Sequence, residues 1–266
     1  MSLLSIIPAI ARARGFYLYT QNGSRIVDLW QDGGRAILGH KPPQVLRAMK
    51  KSAERALFAP FPHPARERFL KALQSLFPGK AFRLYQHKSI LHSALQKAGY
   101  QTESAIADPA FAPCSESSCT LWRPFVDSSY APVLVPVLPW SWAPSVLVLE
   151  PQIDFPPESE NLSPALLAGA TRALYNLSAA LKVGRTVSPA LQKTIRNSSW
   201  EIRGIYVHAP SFQRSGAVLE YEALFQRFLA AGFLLPPEPS LPLILPEKLS
   251  HGEEAQVIQL FKRNSS

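Results

Sequence analysis

The sequence predicts an α/β protein. Short apolar runs rich in β-branched and aromatic residues alternate with stretches whose apolar residues recur every three or four positions. Glycine, proline and capping residues fall where such elements must start or stop. Between about 101 and 164 this order gives way to a stretch dense in proline and serine, so the two ends of the chain are more regular than its middle.

The first ordered element is a hairpin. Phe16–Tyr19 and Arg25–Val27 read as strands, with Asn22-Gly23 as the turn between them. The Gly-rich run Asp32–His40 follows. Pro42-Pro43 then opens a helix to about Phe58, with Val45, Leu46, Met49, Ala53 and Leu57 on one face. A second helix runs from Pro64 to Leu76, burying Phe69, Leu70, Leu73 and Leu76, and Pro78-Gly79 stops it. Phe82–Tyr85 is a short strand and Ser89–Ala98 a helix with Ile90, Leu91, Ala94 and Leu95 inward. In the irregular middle only Pro132–Leu138 and Ser145–Glu150 read as buried strands. Ser163-Pro164 starts a helix that ends near Gly184, and another spans about Pro189–Asn197. Ile202–Val207 is a strand, Leu219–Ala231 a helix stopped by Gly232, and Pro242–Pro246 the last strand. Ser250-His251-Gly252-Glu253 is a capping box for the closing helix, whose Val257, Ile258, Leu260 and Phe261 face inward.

Composition narrows the function classes. With 266 residues, 47% apolar and 18% charged, the chain can bury a real core. The apolar start, Met1–Ile10, is too short to span a bilayer. Arg12 and Arg14 follow it rather than precede it, the wrong order for a signal peptide. A cytoplasmic location with no membrane partner is expected. Cys114 and Cys119 lie in PCSESSCT, which reads as a surface loop with two free thiols. The six histidines show no metal-ligand spacing, so no metal is expected. The net charge of +9 is concentrated in residues 1–100, where sixteen Lys or Arg face four Asp or Glu. Arg47, Lys50, Lys51 and Arg55 fall on the polar side of the first helix, so this charge reads as solvated surface and no nucleic-acid partner is expected.

The run ARARGFYLYTQNGSRIVDLWQDGGRAILGHKPPQVLRAMKKSAERA resembles the N-terminus of class-III aminotransferases, the family of ornithine, acetylornithine and glutamate-1-semialdehyde aminotransferases. Gly15, Tyr17, Leu18, Arg25, Asp28, Gly34, Leu38, Gly39, His40 and Pro43 follow the family's pattern in order. SENLSPALLAGATRAL, IRGIYV, YEALFQRFLAAGFLLPP and LPLILPEKLSHGEEAQVI resemble its C-terminal part. The resemblance covers about two thirds of the chain. It implies that residues 1–80 and 163–266 form an aminotransferase-type small domain, with 81–162 a much reduced remnant of the large pyridoxal-phosphate domain.

The middle departs from the family pattern. RLYQHKSILHSALQKAG aligns with the family's phosphate-binding turn and helix, but Gln86, His87 and Lys88 stand where Ser-Gly-Thr is expected. SVLVLEP resembles the family's strand ending in Glu-Pro, at Glu150-Pro151. The segment that would bring the pyridine-pairing aspartate and the Schiff-base lysine is missing before Ser163. Asp154 stands alone in that gap, and the nearest lysine, Lys182, reads as a helix-end residue. No catalytic residue can be nominated. His87 and Lys88 remain candidates for binding a phosphate, and Arg35 for binding a substrate. The expectation is an inactive aminotransferase-like protein that acts as a binding or regulatory partner and has lost the ancestral pyridoxal phosphate. The alternative is a pyridoxal-phosphate-binding protein or residual aminotransferase. The family's shared dimer face and the apolar Leu3, Leu4, Ile6 and Ile7 imply a homodimer or a complex with an intact homologue.

Overall fold

A computed structural model describes residues 3–55, 61–100, 106–112, 119–126, 131–155, 161–213 and 218–263. Cys114, the expected helix end at Leu57-Phe58 and the prolines that follow Phe155 lie outside the described residues. The chain divides into two compact units, one made of residues 1–40 and 184–266, the other of 41–183. The sequence-based boundaries at 80 and 163 fall elsewhere for a packing reason. The first two helices each pack on the helix after Ser163 inside the second unit.

The first unit joins both ends of the chain in one sheet. Strands β1 (Ile10–Arg14), β2 (Tyr17–Thr20) and β3 (Arg25–Asp28) form an antiparallel meander, and β10 (Phe233–Leu234) pairs parallel to β3. The positive φ of Gly23 (83°) makes the β2–β3 turn that Asn22-Gly23 announces. A second, antiparallel sheet runs in the order β11 (Leu243–Ile244), β9 (Tyr206–His208), β8 (Glu201–Arg203). The single strand expected over 202–207 is therefore a tight hairpin. Gly204, at φ 58°, lets the chain reverse within it. Helices α5 (Pro189–Arg196), α6 (Val218–Ala230) and α7 (His251–Arg263) complete the unit. Trp200 sits at the centre of the core, with ring centroids 5.0 Å from Phe261, 6.3 Å from Phe228 and 6.5 Å from Phe212. Phe225, Phe233 and Leu235 are fully enclosed in the same core.

The second unit is a sheet with helices on both faces. Its strand order is β4 (Ala81–Tyr85), β7 (Ser145–Leu149), β6 (Val133–Pro136), β5 (Cys119–Trp122). β7 is antiparallel to both neighbours and β5 is parallel to β6, so β4, β5 and β6 all run the same way. Alternation along β7 explains the two cores. Val146 and Val148 face α1 (Val45–Ala53), α2 (Pro64–Leu76) and α4 (Pro164–Val183), together with Phe69, Leu73 and Leu174. Leu147 and Leu149 face α3 (Lys88–Lys97), together with Leu91, Leu95 and Phe155.

β5 is a strand that the sequence reading left as loop. Its Cys119 is buried, and burial pushes the thiol up to about 12, so the expectation of a surface thiol at this position is corrected. Two neighbouring branches of serine and proline disguise a four-residue strand that has only Leu121 and Trp122 as strong apolar markers.

Candidate functional site

Several residues of the family-like run have structural duties. Asp28 closes β3 and is almost fully buried. Its Oδ1 accepts the amides of Trp30 (2.9 Å) and Gln31 (2.8 Å), and its Oδ2 lies 2.8 Å from His40 Nε2. The His40 amide donates to the Gly15 carbonyl at 2.9 Å. Gly39 has φ +84°, and a Cβ there would lie 3.0 Å from Gly15 Cα and 3.1 Å from Gly15 O. Gly15, Asp28, Gly39 and His40 thus tie the hairpin to the Gly-rich run. Their spacing is accounted for by these contacts.

Between these anchors the chain turns left-handed. Gln31 and Asp32, neither a glycine, have φ of 51° and 50°, and Gly33 and Gly34 continue the turn. Each non-glycine in that region costs on the order of 1–3 kcal/mol. Gln31 is fully buried, and its Nε2 donates to the Ile244 carbonyl at 2.9 Å, which holds the turn against β11. Arg35, the expected substrate residue, follows this turn. It is half-buried in the first unit, with its amide donating to Asp32 O at 3.2 Å.

His87 and Lys88 belong to the second unit, at the edge where β4, β5 and β6 end. In a sheet of this kind the carboxyl ends of the parallel strands form the usual ligand-binding edge. The chain leaves β4 through Gln86 and His87, and His87 is extended (φ −127°, ψ 150°) just before α3 begins at Lys88. Among the described residues no side chain caps α3, and the positive end of the helix lies beside two exposed side chains, His87 and Lys88.

The same edge carries a feature that the sequence reading missed. Arg123 follows β5 and is only 3% exposed. Its Nε donates to Asp108 Oδ1 at 2.7 Å and its Nη2 to Asp108 Oδ2 at 2.6 Å, a bidentate pair. Asp108 Oδ1 also accepts the Ala110 amide at 2.9 Å. The carboxylate is thus engaged by protein donors. Asp108-Pro109 is a turn signal in the sequence, but nothing local links it to an arginine fifteen positions on. After β6, Trp140 is buried against Gly169 of α4, where an added Cβ would lie 2.6 Å from the indole. Trp142 is tilted against Trp140, with ring centroids 5.7 Å apart, and is largely exposed.

Every lysine of the chain is among the described residues. Arg123–Val126 and Val137–Pro144, which flank the sheet at this edge, contain none. Lys80 lies at the opposite end of β4 and pairs with Glu150. Lys182 is exposed in the last turn of α4, and Asp154 is exposed in no strand. Lys88, at the first turn of α3, lies at the end of the sheet where β4 ends.

No protein-family profile matches the chain. An uncharacterised protein of Treponema pallidum is 29% identical over 276 residues, spanning 89% of this chain and 88% of that protein. Glutamate-1-semialdehyde 2,1-aminomutase of Aeropyrum pernix is 50% identical over 46 residues, 17% of this chain and 11% of the aminomutase. Among solved structures, the ornithine aminotransferase of Toxoplasma gondii superposes with a TM-score of 0.68 at 12% identity, over 97% of this chain and 91% of that one. The fold is the α/β fold of pyridoxal-phosphate aminotransferases. That likeness overturns the expectation of a lost cofactor, because the Toxoplasma structure is described with pyridoxal phosphate at its active site. The physical reason lies in the turn. Replacing its glycine removes one close backbone approach but leaves the uncapped end of α3 with a lysine beside it. A phosphate placed at this turn would meet the first amides of α3 and the Lys88 side chain.

Proposed function

We propose that this chain is an aminotransferase-fold protein without transamination chemistry of its own, which acts as a binding or regulatory partner. The observation that carries the reading is the edge of the β4–β7 sheet. Transamination needs an amine that bonds to the cofactor and then shuttles protons on the substrate carbon. It also needs a carboxylate for the pyridine nitrogen. Among the described residues this edge carries Lys88 at the start of α3 and a half-buried carboxylate, Asp108, closed by Arg123. Pyridoxal phosphate, when bound, supplies an electron sink for amino-acid chemistry. Here His87, Lys88 and the α3 amides would hold its phosphate without a covalent link.

The partner we propose is a second copy or an intact homologue. Leu3 and Ile7 pack against the first unit's core, but Leu4 and Ile6 remain about 40% exposed on the same short turn. Covering an apolar side chain of this size is worth about 1.5–3 kcal/mol. Among the described residues no helix is long and apolar enough to cross a membrane. Arg35 remains a candidate for contact with an anionic group, on the strength of its half-buried place beside the strained turn.

The test is cofactor titration followed by borohydride reduction and peptide mass mapping. Non-covalent binding, with no lysine carrying a stoichiometric pyridoxyl group, is the expected outcome. A single stoichiometric adduct would restore an enzyme.

A further inference from the structure

The basic helix face that the sequence assigns to solvent has a second side. Lys51 and Arg55 of the α1 end, Arg68 of α2 and Arg172 of α4 line one cleft of about 370 Å³ between these three helices. That volume is in the range of small-molecule sites. Among the described residues no Asp or Glu lines it, and none of the four cations has a carboxylate partner. Folding therefore gathers four like charges from three helices into one concavity, an arrangement that repels itself until an anion enters.

The rest of the lining supports the same reading. Ala48, Ala65 and Ala168 make an apolar floor, and Tyr175 stands at the wall with about half its surface exposed. His63 caps α2 through Nδ1, which accepts the Ala65 amide at 3.1 Å, so the ring's proton sits on Nε2 and remains a donor. The cleft belongs to the α1–α2–α4 face of the sheet, whereas α3 and its phosphate turn lie on the other face.

We infer that this cleft binds a small organic phosphate: a phosphoryl group held by the Arg68 and Arg172 guanidiniums with Lys51 and Arg55, and an aromatic or apolar body against Tyr175 and the alanine floor. Guanidinium pairs suit a phosphoryl group because each can offer two parallel N–H donors. An inorganic anion alone would leave the floor and the tyrosine unused.

The test uses the full chain and isothermal titration with phenyl phosphate, inorganic pyrophosphate and benzoate. Phenyl phosphate is expected to bind most tightly, with affinity falling as salt rises. The double variant R68Q/R172Q is expected to weaken it by about a hundredfold, roughly tenfold per charge-assisted contact. The double variant R47Q/K50Q removes the same charge from exposed α1 positions outside the cleft and should leave affinity within about twofold. All four sites are exposed, and matching thermal unfolding curves confirm that the variants fold. Equal losses in both double variants, or no preference for phenyl phosphate over benzoate, would overturn the assignment. So would tighter capture of a single-stranded RNA oligomer that depends equally on Arg47 and Lys50, which would make this face a diffuse polyanion surface.

Discussion

Gly39 and Gly33 stand in the same Gly-rich run and both have positive φ, yet they carry different loads. At Gly33 a Cβ would meet nothing within 4 Å, so alanine pays only for its backbone conformation, about 1–2 kcal/mol. At Gly39 the Cβ would press on the Gly15 backbone at 3.0 Å, and neither partner is a flexible side chain. Gly39→Ala should therefore cost on the order of 1–3 kcal/mol more than Gly33→Ala in urea unfolding. Equal costs would show that the Gly15 contact is not part of the fold. At this scale the sequence was partly readable. Asp28 and His40 stood out through the family-like spacing, but the reason for them, one carboxylate joining two amides to an imidazole, needs the fold. Arg123 and Asp108 gave no comparable signal, because an ion pair fifteen residues apart has no local pattern.

Elements with caps were legible and short unmarked strands were not. The closing helix begins at the expected capping box: Ser250 N–H donates to Glu253 Oε2 at 2.8 Å, and Glu253 N–H to Ser250 Oγ at 3.3 Å. The structure adds what the motif could not say, that Tyr17 and Arg25 of the hairpin also donate to Glu253, at 3.1 and 2.7 Å. Burial pushes the Glu253 carboxyl up, but the Ser250, Tyr17 and Arg25 contacts outweigh it and hold it below the usual carboxylate range. A lowered folded value means that its stabilisation is complete above the ordinary glutamate pKa of about 4.3 and is lost as pH falls through the lower folded value. Glu253→Gln keeps the cap and removes the charge, so it should flatten the stability loss below about pH 4 followed by thermal unfolding. An unchanged acid limb would remove Glu253 from the account. β1, β5 and the β8–β9 hairpin escaped the sequence reading because each has five or fewer residues and takes its identity from its partners. The long helix α4 was legible from its period, but not the purpose of Gly169, which admits Trp140. Gly169→Ala should displace that indole, at a cost of about 1–3 kcal/mol and with a shifted tryptophan emission. Unaltered emission and stability would contradict the contact.

For the whole molecule, the sequence-based expectation was a small domain made of residues 1–80 and 163–266, and in the structure β10 from the C-terminal part pairs parallel to β3 of the hairpin. It misplaced the division between units because helical periodicity gives the face a helix buries, not the partner that face meets. α1, α2 and α4 share one core with the β4–β7 sheet, and α1 and α2 each pack on α4. The fold of these aminotransferases recurs in a chain whose β4–β7 sheet carries, at the end where β4 and β5 stop, Lys88 at the start of α3 and a closed Arg123–Asp108 pair. The central claim is that this fold persists here without the covalent chemistry. Its most direct test is to saturate the purified chain with pyridoxal phosphate, reduce with borohydride and map every lysine by mass spectrometry. A control protein of similar lysine content gives the background. Scattered adducts at background level on surface lysines are expected, whether or not the cofactor binds. One stoichiometric pyridoxyl-lysine, at Lys88 or Lys182, would contradict it.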